Sequence, residues 1–232
     1  MRDGVKAQVG RGRGALVAVL AIVLAGCGPA GKISDEPASG ERGEQGRSAA
    51  EALKDLEKLP VKGRGPKTGF DRDEFGPAWA DVDHNGCDTR NDILKRDLKD
   101  ETFKKGTHDC IVLTGILEDP YGGKTIEFER GEKTSMEVQI DHVVALSDAW
   151  QKGARQLSAA ERRELANDPL NLLAVDGPLN SQKSDADAAT WLPPRRAYRC
   201  PYVSRQISVK IKYELWVTAA EKAAMERVLK SC

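Results

Sequence analysis

The cysteines constrain this chain more than any other feature. Four of its five, Cys87, Cys110, Cys200 and Cys232, lie in the last two thirds of the 232 residues. An even cysteine count in an exported chain suggests disulfides, which persist outside the reducing cytoplasm. Four cysteines allow three pairings. Sequence order favours Cys87 with Cys110 and Cys200 with Cys232, closing two short loops, without establishing the connectivity. No pair has Cys-x-x-Cys spacing and the chain holds only 3 histidines, which disfavours a zinc site.

Export is read from the N-terminus. Arg2, Lys6, Arg11 and Arg13 flank a run of ten apolar residues, Ala15 to Leu24. A bilayer span needs about 20, so residues 1–26 read as a removable signal peptide. The run ends in Leu24-Ala25-Gly26-Cys27, which resembles the bacterial lipoprotein cleavage box. That resemblance implies a lipid on Cys27 and a mature protein anchored at the extracytoplasmic face of the cell membrane, each buried methylene contributing about 0.8 kcal/mol. An ordinary secretory signal that releases the protein to the exterior is the alternative. Removing residues 1–26 takes away four bases and one acid, so the formal charge moves from 0 to −3. A whole-molecule basic field is therefore not what would draw a polyanion.

Residues 27–67 read as a flexible tether, rich in Gly, Ser, Pro, Glu, Lys and Arg and without an aromatic between Gly28 and Gly65. An apolar pattern from Ala49 to Leu59 can form a helix, but it stands alone. The folded domain is expected over 68–232, beginning near Phe70. A short helix is expected around Asn91 to Leu98, a β-branched strand at Cys110 to Leu117, a turn at Asp119 to Gly123 and a return strand at Lys124 to Phe128. Another strand, Glu137 to Val144, leads into a helix from Ser147 to Ala166, with a second cap at Ser158. A strand from Asn171 to Val175 precedes a Gly-Pro turn and a helix from about Asn180. Val203 to Val217 fits a strand or one helix face equally. Thr218 to Glu221 is a capping box for a last helix. The pattern is α+β.

The chemistry concentrates in EVQIDHVVALSDAW, residues 137–150, and NDPLNLLAVDGPLNSQKSD, residues 167–185. Hydrolysing a phosphodiester requires a base to activate water and positive charge to meet that of the phosphate. Asp141 and Asn180 offer hard oxygens that suit Mg²⁺ or Mn²⁺ better than zinc. His142 can accept a proton near neutral pH. Adjacent strand residues point to opposite faces, so Asp141 and His142 have different roles unless the backbone bends.

This Asp-His, Asn and Asn-x-x-Lys pattern resembles the HNH (ββα-metal, or His-Me finger) endonucleases, in detail the actinobacterial secreted HNH proteins related to the C-terminal domain of GmrSD-type restriction enzymes. It also resembles the HNH domain of RNA-guided CRISPR nucleases. The resemblance covers about residues 68–232. It implies a ββα-metal finger within a small disulfide-stapled domain and metal-dependent cleavage of nucleic acid, DNA more than RNA. By position it makes Asp141 and Asn180 the ligands of one divalent cation, His142 the general base and Asn171 the residue orienting that imidazole. Lys183 is placed near the scissile phosphate or as support for the helix. Two positions depart from the family pattern: Ala145 stands where many members have Pro, and Asn180 where the name-giving motif has His.

Asp81, Asp83, Asn85 and Asp92 match the spacing of a calcium loop, although Cys87 falls at a ligand position, no entering helix is evident, and such runs also form ordinary turns. Arg195, Arg196, Arg199, Arg205, Lys210 and Lys212, interleaved with tyrosines and free of acids, form either a nucleic-acid-binding patch or a solvated face. Trp150, Trp191 and Trp216 read as core, His84 and His108 as exposed loop residues. A non-catalytic calcium-dependent surface lipoprotein, or an inactive scaffold that binds nucleic acid through 195–212, are the alternatives to the nuclease.

Overall fold

The computed structural model describes residues 48–232; the signal segment 1–26 and Cys27 fall outside them. Helix α1 (Ala49–Lys58) opens on a reciprocal capping box between Ser48 and Glu51. It does not stand alone, which corrects the tether boundary. Ala52, Leu56 and Leu59 share one helical face and are buried in a cluster with residues of α6 (Arg199–Lys212) and α7 (Ala219–Lys230). The chain that follows is pinned too. Val61 bridges Val217, and Trp216 Nε1 donates to the Gly63 carbonyl at 3.0 Å. Folded structure thus begins well before residue 68.

Helix α2 (Thr89–Asp97), capped by Asp88, leads into an antiparallel sheet of β1 (Lys99–Phe103), β2 (Val112–Glu118) and β3 (Thr125–Glu129), in that order. Strands β2 and β3 follow the sequence pattern. Strand β1 does not: its Lys-Asp-Glu start hides it, and its register with β2 is irregular. A second sheet pairs β4 (Val138–His142) antiparallel to β5 (Leu172–Asp176), with Asp141 opposite Leu173 and His142 opposite Leu172.

Between them lie α3 (Leu146–Gln151) and α4 (Ala159–Asn167) in place of one continuous helix. Gly153, at φ 128°, breaks the run, and the Ser158–Glu161 capping box restarts it. Helix α5 (Gly177–Lys183) starts ahead of Asn180, with Asp176 as its cap and Pro178 in its first turn. A Cβ on Gly177 would collide with the Met136 carbonyl, so only glycine lets the helix leave β5 there. The ambiguous 203–217 stretch is mainly helix, because burial at Val203, Gln206, Ile207 and Lys210 follows a period of 3.6.

Disulfides join Cys87 to Cys110, tying the loop before α2 to the loop before β2, and Cys200 to Cys232, tying α6 to the chain end. Trp150 is buried, and Trp191 packs against the cluster that holds α1. The fold is α+β with two disulfides. Among the described residues no helix is long and apolar enough to cross a membrane.

Candidate active site

Strand β4 carries the central residues, and its alternation separates them. Gln139 and Asp141 face α5, where Asn180 and Lys183 stand one turn apart. Two cross-links result. The Asn180 amide donates to Gln139 Oε1 at 2.8 Å, and Lys183 Nζ donates to Asp141 Oδ1 at 2.9 Å. Lys183 also donates to the His142 carbonyl at 2.8 Å, and the Tyr121 hydroxyl to Asp141 Oδ2 at 2.5 Å. Asp141, Lys183 and Tyr121 are all buried, and Trp191 and Tyr202 meet the Tyr121 ring edge-on. Burial and the Asp141 carboxylate push the Tyr121 hydroxyl well above its ordinary value, so it remains a donor. Lys183 braces β4 against α5.

This arrangement does not fit the expected ion. Both carboxylate oxygens of Asp141 are engaged, one by an ammonium that would repel a divalent cation bound beside it. Among the described residues no group of three or more His, Cys, Asp or Glu is placed to hold a metal. Asp141 is here the buried partner of Lys183 rather than an open ligand.

His142 turns to the other side of the strand. Its Nε2 lies 2.9 Å from the Ala166 carbonyl. A carbonyl only accepts, so Nε2 carries the hydrogen and Nδ1 keeps its lone pair. Burial lowers the imidazole pKa to about 4; Arg72 and Lys183 act in the same direction, against Ala166 and Asp141. The ring is therefore neutral at physiological pH.

Asn171 makes no hydrogen bond to the imidazole itself. Its Oδ1 accepts the Val144 N–H at 2.8 Å, and its Nδ2 donates to the carbonyls of Val144 and Leu165. It clamps the turn after His142 to the end of α4, where Ala166 presents the carbonyl that holds the ring. Its hold on the histidine is thus relayed through backbone.

His142 opens into a cavity of about 90 Å³. One side is formed by His142, Leu146, Ala166 and Asn167, the other by Arg72, Asp73, Phe75 and the stretch to Trp79. Arg72–Phe75 is a single 3-10 turn capped by Asp71. The Trp79 ring lies 12° from parallel to the imidazole, with centroids 6.2 Å apart. Nothing in the sequence marks this stretch as more than the start of the fold.

Residues 88–228 match the family described as GmrSD restriction endonucleases, C-terminal domain. The chain belongs to this family. It is also 37% identical over 187 residues to an uncharacterized secreted protein of the fungus Arthroderma benhamiae, covering 80% of this chain and 86% of that one. No solved structure matches it. The GmrSD match takes in Asp141, His142, Asn171, Asn180 and Lys183, whereas Arg72 and Trp79 precede it.

The other candidate residues of this GmrSD-family chain divide differently from expectation. Asp81, Asp83, Asn85 and Asp92 are brought together: the Asn85 amide donates to Asp83 and Asp92 at 3.1 Å each, and Asp81 accepts the Gly86 N–H. Asp92 lies in α2, following the loop. His84 and His108 are exposed.

The basic run does not form one patch. Arg199 donates to the Pro193 carbonyl, Arg205 to those of Pro169, Leu170 and Leu172, and Lys212 to Asp168. Lys210 is fully buried, and Arg195 and Arg196 are exposed.

Lys210 belongs to a buried network that no sequence motif announces. Lys152 Nζ lies 2.7 Å from Asp148, 2.8 Å from Asp187 and 2.7 Å from Glu221. Lys210 reaches Glu221 at 3.1 Å, and Arg64 reaches Asp148 and Asp187 at 3.0 and 2.9 Å. Three acids and three bases balance, which makes the burial tolerable. Against burial, which raises it, Lys152 and Arg64 bring the Asp187 carboxyl down to about 2.

Proposed function

We propose that the protein is an exported nuclease that hydrolyses phosphodiester bonds of nucleic acid, DNA in preference to RNA, with His142 as its general base. In this reading β4, β5 and α5 are the ββα finger of the HNH enzymes. The observation that carries it is the hydrogen bond from His142 Nε2 to the Ala166 carbonyl. That bond fixes the tautomer and leaves the Nδ1 lone pair free on a residue that lines the cavity.

The reaction follows from that nitrogen. Nδ1 takes a proton from water, the water oxygen joins phosphorus, and the bond from phosphorus to the leaving oxygen breaks. That oxygen leaves as an alcohol, taking its proton from solvent, and the imidazolium returns its own proton to solvent. The chain's other residues position the base. Asn171 holds the backbone on both sides of it, and Lys183 ties the His142 carbonyl and Asp141 to α5. Asp141 and Asn180 do not act as ligands in this reading, since the Lys183 ion pair closes that side.

Export is supported by the signal-like N-terminus, by the two disulfides and by a relative whose name records it as secreted. Lipid attachment at Cys27 is part of the proposal and places the enzyme on the outer face of the cell membrane. The test incubates supercoiled plasmid and, separately, RNA with the full chain under Mg²⁺, Mn²⁺ or EDTA. Cleavage of the plasmid is the expected outcome; intact substrates under every condition, with the protein folded, would remove the nuclease reading.

A further inference from the structure

The negative charge that builds on the phosphate oxygens as the bond breaks calls for a cation beside His142, and the residues of the family motif do not provide one. Lys183 is buried against Asp141, and the basic run from Arg195 to Lys212 is spent on carbonyls, on Asp168 and on the internal network, or lies on another element. Arg72 is different. It is the only cation among the residues lining the His142 cavity, it is exposed, and among the described residues its guanidinium has neither an ion pair nor a side-chain hydrogen bond.

Its neighbours are arranged to hold it there. Asp71 caps the 3-10 turn, its carboxylate accepting the Asp73 N–H at 3.0 Å. Phe75 anchors the turn in the core against Trp150 and Phe70. At the far end of the same stretch, Trp79 adopts φ 58°, a backbone conformation that costs an L-residue energy and persists only where its surroundings impose it. Its carbonyl accepts the Thr89 N–H from the start of α2, and its ring packs on one cluster while still facing the cavity.

We propose that residues 72–79, which precede the matched family region, form the substrate-binding wall of the site: Arg72 takes the phosphate of a nucleic-acid strand and the Trp79 ring stacks on a neighbouring base. A guanidinium meets a phosphate with two parallel N–H bonds, and an indole face accepts any base, so this wall would bind strands without reading sequence. The inference rests on the nuclease reading for what the bound phosphate undergoes, but not for the binding itself.

The experiment titrates a short single-stranded DNA into the full chain, following tryptophan fluorescence and repeating the titration at several salt concentrations. The His142→Ala variant serves as the uncut reference. Binding should quench fluorescence, and Trp79→Phe should remove most of the quench. Arg72→Gln should weaken binding about tenfold and make the slope of log K against log salt shallower by about one, with Arg72→Lys keeping much of the slope. Thermal melts equal to those of the unaltered protein are expected, because Arg72 is a surface residue.

If Arg72→Gln binds and cuts like the unaltered protein, or if the unaltered protein binds no DNA, the proposal is wrong. If binding depends on Arg72 and Trp79 but no substrate is ever cut, the wall stands and the nuclease reading falls. Cleavage that depends on His142 and is indifferent to Arg72 keeps the nuclease reading and removes the wall.

Discussion

Helix α1 gives the sharpest test of how the fold is built, because its residues look like linker. Leu56 is 0% exposed and packs among residues of α6, α7 and β5. Replacing it by alanine removes three buried carbons, worth about 2 kcal/mol in transfer alone. A cavity then remains between helices that are also tied by the Cys200–Cys232 disulfide and so collapse little. The total should be about 3 kcal/mol, within the roughly 2–5 kcal/mol range for such changes. For a folded body of this size that corresponds to a fall in Tm of about 6–12 °C. Urea unfolding of the oxidised protein, followed by circular dichroism, would measure it. The midpoint should fall with the slope unchanged, and exposed Lys54→Ala should stay within about 0.5 kcal/mol of the parent. If Leu56→Ala unfolds at the parental midpoint, α1 is not part of the core and the stretch is a tether after all.

The buried charges and the glycine turn can be tested in the same way. Lys152→Met leaves Asp148, Asp187 and Glu221 facing one another without their central cation, and should cost about 3–5 kcal/mol in urea unfolding. Asp187 has a folded pKa of about 2, below the usual aspartate value of about 3.9. Its contribution of about 2 kcal/mol is thus fully present above about pH 4 and lost as pH falls toward 2; Asp187→Asn should flatten that stretch of the stability curve. In the proposed role as base, His142, at about 4, must be neutral. Cleavage should therefore hold a plateau from about pH 5 upward and fall about tenfold per pH unit below about 4, wherever the fold survives. Gly177→Ala should drive the Met136 carbonyl out of place and lower Tm, with no gain from the better helix former.

Much of the site is legible in the sequence because strand, turn and helix each leave a local period. Asp141-His142 and Asn180-x-x-Lys183 fall on the elements their spacing indicates, a residue pair on β4 and a pair one turn apart on α5. What each side chain bonds to is not legible. Lys183 meets Asp141 across 42 positions, and Tyr121, which completes that cluster, sits in a turn that carries no motif. Asn171 stands out in the sequence, yet it works on the backbone rather than on the imidazole. The basic run after Trp191 looks like a surface patch because sequence shows charge and not direction. In the fold Arg199 and Arg205 turn to backbone carbonyls, and Lys210 turns inward. Helix α1 looks isolated because its partners lie near the opposite end of the chain. Strand β1 is hidden because Lys99, Asp100 and Glu101 put charge where a strand is usually read from β-branched residues.

Catalysis in this reading depends on the Nδ1 lone pair of His142, and chemical rescue tests it most directly. Plasmid cleavage by the His142→Ala variant should fall by roughly a hundredfold to ten-thousandfold, and added imidazole should restore part of the rate while leaving the unaltered protein unchanged. Cleavage by His142→Ala at the parental rate would contradict His142 as the base.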